Sequence, residues 1–289
     1  MHIIRNHALA QAENAQISIH DRGFRYGDGL FETLRVHAGV PYRFEWHMGR
    51  LARGLEAVRI EYDTAGLADD CRALIHANRM QNGLLRIQIT RGAGGRGYLP
   101  EPDTQPNCLI ETLPLPDVPA QPVDLWGSSY ARMPLSALPV NTKLCQGMNA
   151  ILARMEAADH ECFDALMLGE NGDISETSSA NIFWVKDGVL YTPPLLTGAL
   201  DGATRAAVME LSPLPVKEIR AGLVALAEAE AVILTNTVWK ALPVGHLKPA
   251  GLFWKSTEAA RLFRDLLTKD IERYSQTHGS RWQADALSA

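Results

Sequence analysis

The sequence predicts an α/β (α+β) protein of two lobes, a small N-terminal α/β domain over residues 1–117 and a larger C-terminal α/β domain over 118–289. Three observations carry this. Thr112-Leu113-Pro114-Leu115-Pro116-Asp117-Val118-Pro119-Ala120-Gln121-Pro122 holds four prolines, which prevent a helix or a central strand and mark a linker. Runs with strand alternation and runs with helical spacing occur on both sides of it, so each side can build a core of its own. Beyond the linker, Asn171-Gly172 and Asp187-Gly188 are strong hairpin signals.

In chain order, residues 1–20 read as short strands around a turn near Asn14. Arg22-Gly23-Phe24-Arg25-Tyr26-Gly27-Asp28-Gly29 reads as a turn-rich loop, and 30–36 alternates well enough for a strand. The spacing predicts a helix over 43–58, with Trp46, Leu51, Leu55 and Val58 near one face. A second helix is expected after Asp63, since Leu67, Cys71, Leu74 and Ile75 share helical spacing. Strands are expected at 84–90 and 108–112. In the second lobe Met148, Ile151, Leu152 and Met155 follow the spacing of a buried helical face. Strands at 165–168, 181–186, 189–192 and 231–234 are expected among helices after Asp201, near 221–230 and at 257–274. The polar tail after Gln276 is expected to be mobile.

Composition narrows the function classes. Of 289 residues, 46% are hydrophobic and 21% charged, which is ordinary for a globular protein. A net charge of −5 without a basic stripe gives no reason to expect nucleic-acid binding. The first residues lack the apolar core of a signal peptide, and no apolar run approaches the roughly 20 residues of a membrane span. Cys71, Cys108, Cys145 and Cys162 are scattered without a C-x-x-C pair, which argues against structural zinc and a disulfide framework. A reducing cytoplasm is the expected compartment, and no metal site is expected.

Several motifs carry chemistry. Gly92-Ala93-Gly94-Gly95-Arg96-Gly97 fits G-x-G-x-x-G, but Pro100 and Pro102 follow, so no helix can start at the glycines and the dinucleotide reading fails. What remains is a loop carrying Arg96 and Tyr98, suited to gripping a carboxylate, or a surface turn. Lys143 sits among uncharged neighbours just ahead of an amphipathic helix, a setting that would lower its pKa and make it a better nucleophile and base. Taken alone it would most often be a solvated surface lysine. Glu176 follows 33 residues later, at a hairpin edge. His47 and Arg50 share a helix face, which could present Arg50 to a phosphate. Asp201-Gly202-Ala203-Thr204-Arg205 reads as an N-cap and first helical turn, and Gly202 lets an anion approach the backbone. Thr235-Asn236-Thr237 ends a buried strand, a usual place for ligand contacts. An amine, a carboxylate and a helix N-terminus suit a ring aldehyde carrying a phosphate.

In order, Asp21-Arg22-Gly23 with Tyr26-Gly27-Asp28-Gly29-Leu30-Phe31-Glu32-Thr33-Leu34-Arg35, His47-Met48-Gly49-Arg50-Leu51, Lys143, Glu176 through Phe183, Tyr191-Thr192-Pro193, Gly202-Ala203-Thr204-Arg205 and Thr235-Asn236-Thr237 resemble the fold-type IV pyridoxal-phosphate enzymes. That family includes branched-chain aminotransferases, D-amino-acid aminotransferases and aminodeoxychorismate lyases. The resemblance covers roughly residues 1–270. It implies pyridoxal 5'-phosphate as cofactor, with Lys143 as the Schiff-base lysine and Glu176 on the pyridine nitrogen. By the same resemblance Arg50, the Ala203 and Thr204 amides and Thr237, with Asn236 beside it, belong to the cofactor site. Phe31, Thr33, Arg96 and Tyr98 are implied for the substrate. A homodimer is implied, with the active site near the interface and the Arg96 loop serving the neighbouring subunit. The Gly92–Tyr98 loop and Ser179-Ala180-Asn181-Ile182-Phe183-Trp184 look most like the lyase group, which releases pyruvate from its substrate by β-elimination. D-Amino-acid aminotransferases tend to carry Tyr where this chain has Phe31 and His where it has Tyr98. Branched-chain enzymes usually have Gly where it has Thr33. Transamination of D- or branched-chain amino acids is the alternative reaction.

Overall fold

The computed structural model describes residues 1–283. The chain divides into two units. The first contains Met1–Pro116, Thr142–Gln146 and the segment from Ile271, and the second contains Asp117–Asn141 and Gly147–Asp270. The division at Pro116 lies beside the boundary expected at 117/118. The lysine-bearing segment Thr142–Gln146, placed in the second domain by the sequence, groups instead with the first unit.

The first unit holds strands β1 (His2–Arg5), β2 (Ala8–Gln11), β3 (Gly29–His37), β4 (Val40–Pro41), β5 (Gly83–Thr90) and β6 (Asn107–Leu113) in one sheet, ordered β2-β1-β6-β5-β3-β4. All of its pairings are antiparallel. The first turn is at Asn6 and His7, both at positive φ, rather than near Asn14. Helices α2 (Phe44–Ala57) and α3 (Leu67–Ala77) cover the sheet. Along β3 the pleat buries Leu30, Leu34 and Val36, which join Leu51, Leu55, Leu74, Leu85, Ile87 and Ile89 in one core. The expected turn-rich loop at 22–29 contains a short helix, α1 (Arg22–Tyr26). Asp21 caps it by accepting from Gly23 N, and Gly27 ends it at φ 67°.

The second unit holds β7 (Val123–Gly127), α4 (Met148–Asp159), β8 (Asp164–Leu168), β9 (Ile174–Thr177), β10 (Asn181–Lys186) and β11 (Val189–Thr192). It continues with α5 (Ala203–Leu211), β12 (Val216–Glu218), α6 (Val224–Ala227), β13 (Ala231–Asn236), β14 (Lys240–Lys248), β15 (Leu252–Phe253) and the part of α7 (Glu258–Gln283) up to Asp270, the rest of α7 grouping with the first unit. Strand order is β12-β11-β10-β13-β14-β7-β8-β9, with β15 on β14 and a further pairing of β9 with β10. That last pairing closes β10-β13-β14-β7-β8-β9 into a barrel. Its closing contact puts Glu176 opposite Asn181. The two dipeptide turns are as read, with Gly172 at φ 75° and Asp187-Gly188 at 50° and 70°.

Two expectations are corrected. Met148, Ile151 and Met155 do not face a core; they are 65%, 53% and 59% exposed, and Leu152 is half-buried. The buried positions of α4 are Ala153 and Ala157, whose small side chains let the helix lie close against Ala165 and Met167. The tail does not become irregular at Gln276. Helix α7 runs to Gln283, and Trp282 is buried with its ring edge-on to Phe44 at 5.0 Å. The rest of the tail expected to be mobile, 284–289, lies outside the described residues.

Candidate active site

In the first unit, the backbone around Lys143 is an extra strand on β3. Phe31 N donates to Lys143 O and Cys145 N to Gly29 O, each at 2.9 Å, and Leu30 bridges Leu144 in antiparallel register. Leu144 packs on the core. The Lys143 Nζ lies 4.7 Å from the Phe31 ring centroid, and the Arg86 guanidinium lies 4.2 Å from it. Thr33 stands opposite Arg86 in the β3–β5 register and is half-buried. Burial pushes the Cys145 thiol up to about 11, so this neighbour of Lys143 stays protonated near neutral pH.

The pleat that exposes Phe31 and Thr33 turns Glu32 into the covered face, where a lone carboxylate would cost several kcal/mol. Helix α2 supplies the answer, with His47 and Arg50 one turn apart. Arg50 donates to both oxygens of Glu32, from Nε at 2.7 Å and Nη2 at 2.5 Å, and His47 Nδ1 lies 2.6 Å from Oε2. All three residues are buried. Burial alone would raise the Glu32 carboxyl, but the Arg50 and His47 charges override it and hold it down at about 2. Burial pushes the His47 imidazole down, against the pull of Glu32, with Arg50 and Lys143 adding to the fall. Arg50 is thus fixed in direction by Glu32, with its guanidinium 5.0 Å from the Trp46 ring.

The glycine-rich loop has no helix, as the prolines require, and Gly92, Gly94, Gly95 and Gly97 all take positive φ. Arg96 is exposed and Tyr98 is 89% exposed. Arg22 anchors the loop from below by donating to the carbonyls of Gly97 at 3.0 Å and Tyr98 at 2.8 Å. Asp28 holds Arg22 Nε at 2.8 Å. Of the residues expected at the substrate, the structure brings Phe31 to Lys143, while Arg96 and Tyr98 project from the surface of this unit.

In the second unit, Glu176 ends β9 at the barrel closure and is 5% exposed. Its Oε2 accepts from Asn181 Nδ2 and from Leu200 N, both at 2.9 Å, and its Oε1 pairs with Arg132 Nη2 at 2.8 Å. The turn after it is organised by Asp164, which is fully buried. Asp164 accepts from the hydroxyls of Thr177 at 2.8 Å and Ser179 at 2.6 Å, from Ser178, and from Ala165 N at 2.7 Å. Four donors satisfy the acceptor positions of this buried side chain.

Helix α5 begins at Ala203, after Gly202 in an extended conformation with no side-chain cap, so its first amides keep no intrahelical acceptor. A Cβ on Gly202 would lie 2.1 Å from Asn181 Oδ1, so only glycine fits this approach. Ala203 and Thr204 are buried at the helix start. Asn236 closes the turn after β13 by accepting from Val238 N at 3.0 Å and Trp239 N at 2.8 Å, and it donates to Ser179 O at 3.2 Å. Thr237 is half-buried in that turn. Thr235 stands opposite Asn181 in register and leaves a buried hydroxyl without a protein partner.

These parts fit a phosphorylated ring aldehyde. The first unit has an amine on a fixed backbone, and the second has a buried, oriented carboxylate and a helix N-terminus of the kind that holds phosphate. The sequence reading omitted Arg132, Asn181 and Asp164 from the site and gave Glu32 no role. Glu32 was detectable as the one acid in the apolar phase of Leu30-x-Glu32-x-Leu34-x-Val36, with His47 and Arg50 three apart on the next helix. Arg132 lies in an irregular segment with no periodic signal to reveal it.

The sequence pattern of the family described as Amino-transferase class IV matches residues 29–247. The chain is 28% identical to an aminodeoxychorismate lyase of Bacillus subtilis (strain 168), over 96% of this chain and 98% of that one. Among solved structures it is similar to 4-amino-4-deoxychorismate lyase from Pseudomonas aeruginosa, at 32% identity and a TM-score of 0.82, covering 93% of this chain and 98% of that one. It is also similar to a branched-chain amino acid aminotransferase solved with pyridoxamine 5'-phosphate, at 25% identity and a TM-score of 0.88, covering 96% of each chain.

Proposed function

The chain belongs to the class IV aminotransferase family, and on that premise we propose that it is a 4-amino-4-deoxychorismate lyase, releasing 4-aminobenzoate and pyruvate for folate synthesis. It is an enzyme of the pyridoxal 5'-phosphate-dependent lyases and transaminases. In the proposed assignment Lys143 holds the cofactor aldehyde and Glu176 the ring nitrogen. Arg50, the Ala203 and Thr204 amides, Thr237 and the turn built by Asn236 hold the phosphate. The bound cofactor supplies an electron sink for the carbon next to the substrate amine.

Lys143 does the proton work. With the cofactor bound, its free Nζ would take the proton from the ring carbon bearing the substrate amine. The C–H electron pair becomes a ring double bond, and the enolpyruvyl ether on the neighbouring carbon leaves with the C–O pair. The ring is then aromatic, and the departing enolate takes up a proton to become pyruvate. Aromatisation drives the step, so positioning of the substrate and of one base suffices.

Phe31 carries the lyase reading. A ring without a hydroxyl, next to the Lys143 ammonium and the Arg86 guanidinium, suits a flat cyclic substrate that stacks and offers a carboxylate to the arginine. Purified enzyme given aminodeoxychorismate, with no keto acid added as amino acceptor, is expected to yield 4-aminobenzoate and pyruvate in equal amounts. Amino transfer from a D- or branched-chain amino acid to a keto acid, with no aminobenzoate formed, would establish the transaminase reading in its place. That second reading is favoured by the likeness to the branched-chain aminotransferase, since Lys143 and Glu176 serve a 1,3-proton shift equally well.

A homodimer in a cytoplasmic compartment completes the proposal. The apolar stripe of Met148, Ile151 and Met155 on α4 is a surface that a second copy would cover, and the outward Arg96 and Tyr98 are available to a neighbouring subunit. The wild type is expected to sediment as a dimer, and Ile151→Glu with Met155→Glu to shift it toward monomer. A monomeric wild type, or a dimer indifferent to the double substitution, removes α4 from the interface. Among the described residues no helix is long and apolar enough to cross a membrane.

A further inference from the structure

Arg132 belongs to no motif, yet it touches both ends of the half-site in the second unit. Its Nη2 bonds Glu176 Oε1 at 2.8 Å, and its Nε donates to Gly198 O at 2.9 Å. Its own amide donates to Leu168 O at 2.8 Å, which ties the arginine to the end of β8. The side chain is 14% exposed, so both bonds form largely away from water. Gly198 makes the approach possible, because a Cβ there would lie 2.6 Å from Met133 O and its φ is 89°.

Gly198 sits in the strap that joins β11 to α5, and Leu200 of that strap is tied to the same carboxylate. Asn181 Nδ2 is shared between Glu176 Oε2 and Leu200 O, both at 2.9 Å, and Leu200 N returns to Oε2. Asn141 Nδ2 donates to Leu195 O at 3.0 Å and Ala199 O at 2.7 Å, and Asp201 N donates to Asn141 O. Two residues later Ala203 opens the helix assigned to the phosphate.

A carboxylate has about four lone-pair positions. Here Oε2 accepts twice and Oε1 accepts once, from Arg132. One position on Oε1 is left for a ring N–H. We propose that Arg132 is a positioning residue that fixes Oε1 of Glu176 toward the cofactor nitrogen and locks the distance from that carboxylate to the phosphate-binding start of α5. This rests on the assignment of Glu176 to the ring nitrogen.

The test is a double-mutant cycle read by the dissociation constant for pyridoxal 5'-phosphate, measured by dialysis on purified full-length protein. Arg132→Met is expected to weaken binding by about tenfold or more, as loss of an orienting outer partner does at comparable sites. In a Glu176→Ala background the same substitution is expected to cost less than about twofold, because there is no carboxylate left to orient. Arg132→Lys, which keeps the charge but cannot reach Glu176 and Gly198 together, is expected to recover only part of the loss, and it replaces Arg132→Met in the cycle should that variant not fold. Equal losses in both backgrounds, or none in either, overturn the proposal. Wild-type protein that takes up no pyridoxal phosphate overturns the assignment of Glu176 itself. Intact uptake with an additive cycle overturns Arg132 alone.

Discussion

Lys143→Ala is expected to lower turnover by roughly 10⁴-fold or more, because in the proposed assignment one side chain supplies both the nucleophile and the base. The fold should survive the change. The segment is held by main-chain bonds to Phe31 and Gly29 and by Leu144 in the core, none of which needs the lysine side chain. Treatment with pyridoxal phosphate and borohydride separates this from a general loss of structure. Wild-type protein should gain the mass of one reduced pyridoxyl phosphate on the peptide containing Lys143, and the variant should gain none. Lys143→Arg keeps a cation near Phe31 and should be as inactive, since guanidinium neither adds to an aldehyde nor gives up a proton near neutral pH. Activity above about 1% in either variant, judged against that loss, would remove Lys143 from the chemistry.

The second large effect is on stability. Glu32→Gln is expected to destabilise the protein by about 3 kcal/mol at pH 7, since it removes the charge that compensates a buried Arg50. The pH dependence gives an independent check. Glu32 titrates at about 2 in the folded protein, against roughly 4.3 in an unfolded chain. Its contribution is therefore fully present above the unfolded value and is lost as pH falls through about 2. His47 acts in the same direction. Its folded pKa lies below the ordinary value, so its contribution is present above about 6.5 and declines as acid protonates the unfolded chain first. The gap between wild type and Glu32→Gln, from urea melts at a series of pH values, should be constant from about pH 7 to 5 and close between about 4.5 and 2. A gap unchanged at pH 3 would mean that shape, not charge, is what Glu32 contributes.

Much of this was legible before any coordinates, and the reasons differ by element. Strands such as β3 and β5 have one covered face, so alternation alone places them. The Asp187-Gly188 turn needs positive φ at two successive positions, and few dipeptides offer it. The face of α4 was misread for a physical reason. Apolar spacing finds the greasy side of a helix, but Ala153 and Ala157 decide which side can come close to the sheet. Strand β14 escaped notice because Pro243 interrupts it. In the structure Pro243 lies just outside the β7 pairing, which begins at Val244, so its missing N–H removes no bond of that ladder. Of the proposed site residues, Lys143, Glu176 and the α5 start are named by motif order alone. Arg132 and Asp164 are not, because a residue that acts by holding another is recognisable only once the chain is folded.

The bridge between Leu30 and Leu144 has a consequence for which atom serves as the proposed nucleophile. Paired strands send successive side chains to opposite faces, so the bridge decides that Leu144 goes into the core and Lys143 comes out beside Phe31. The lysine is selected by parity as much as by identity. The same residues shifted by a single position would drive an ammonium into oil and offer an isobutyl group to the substrate. Spacing between Asn141 and Gln146 is thus as much a part of the active site as the amine, and a chain can lose this chemistry by insertion or deletion with every functional residue still in it.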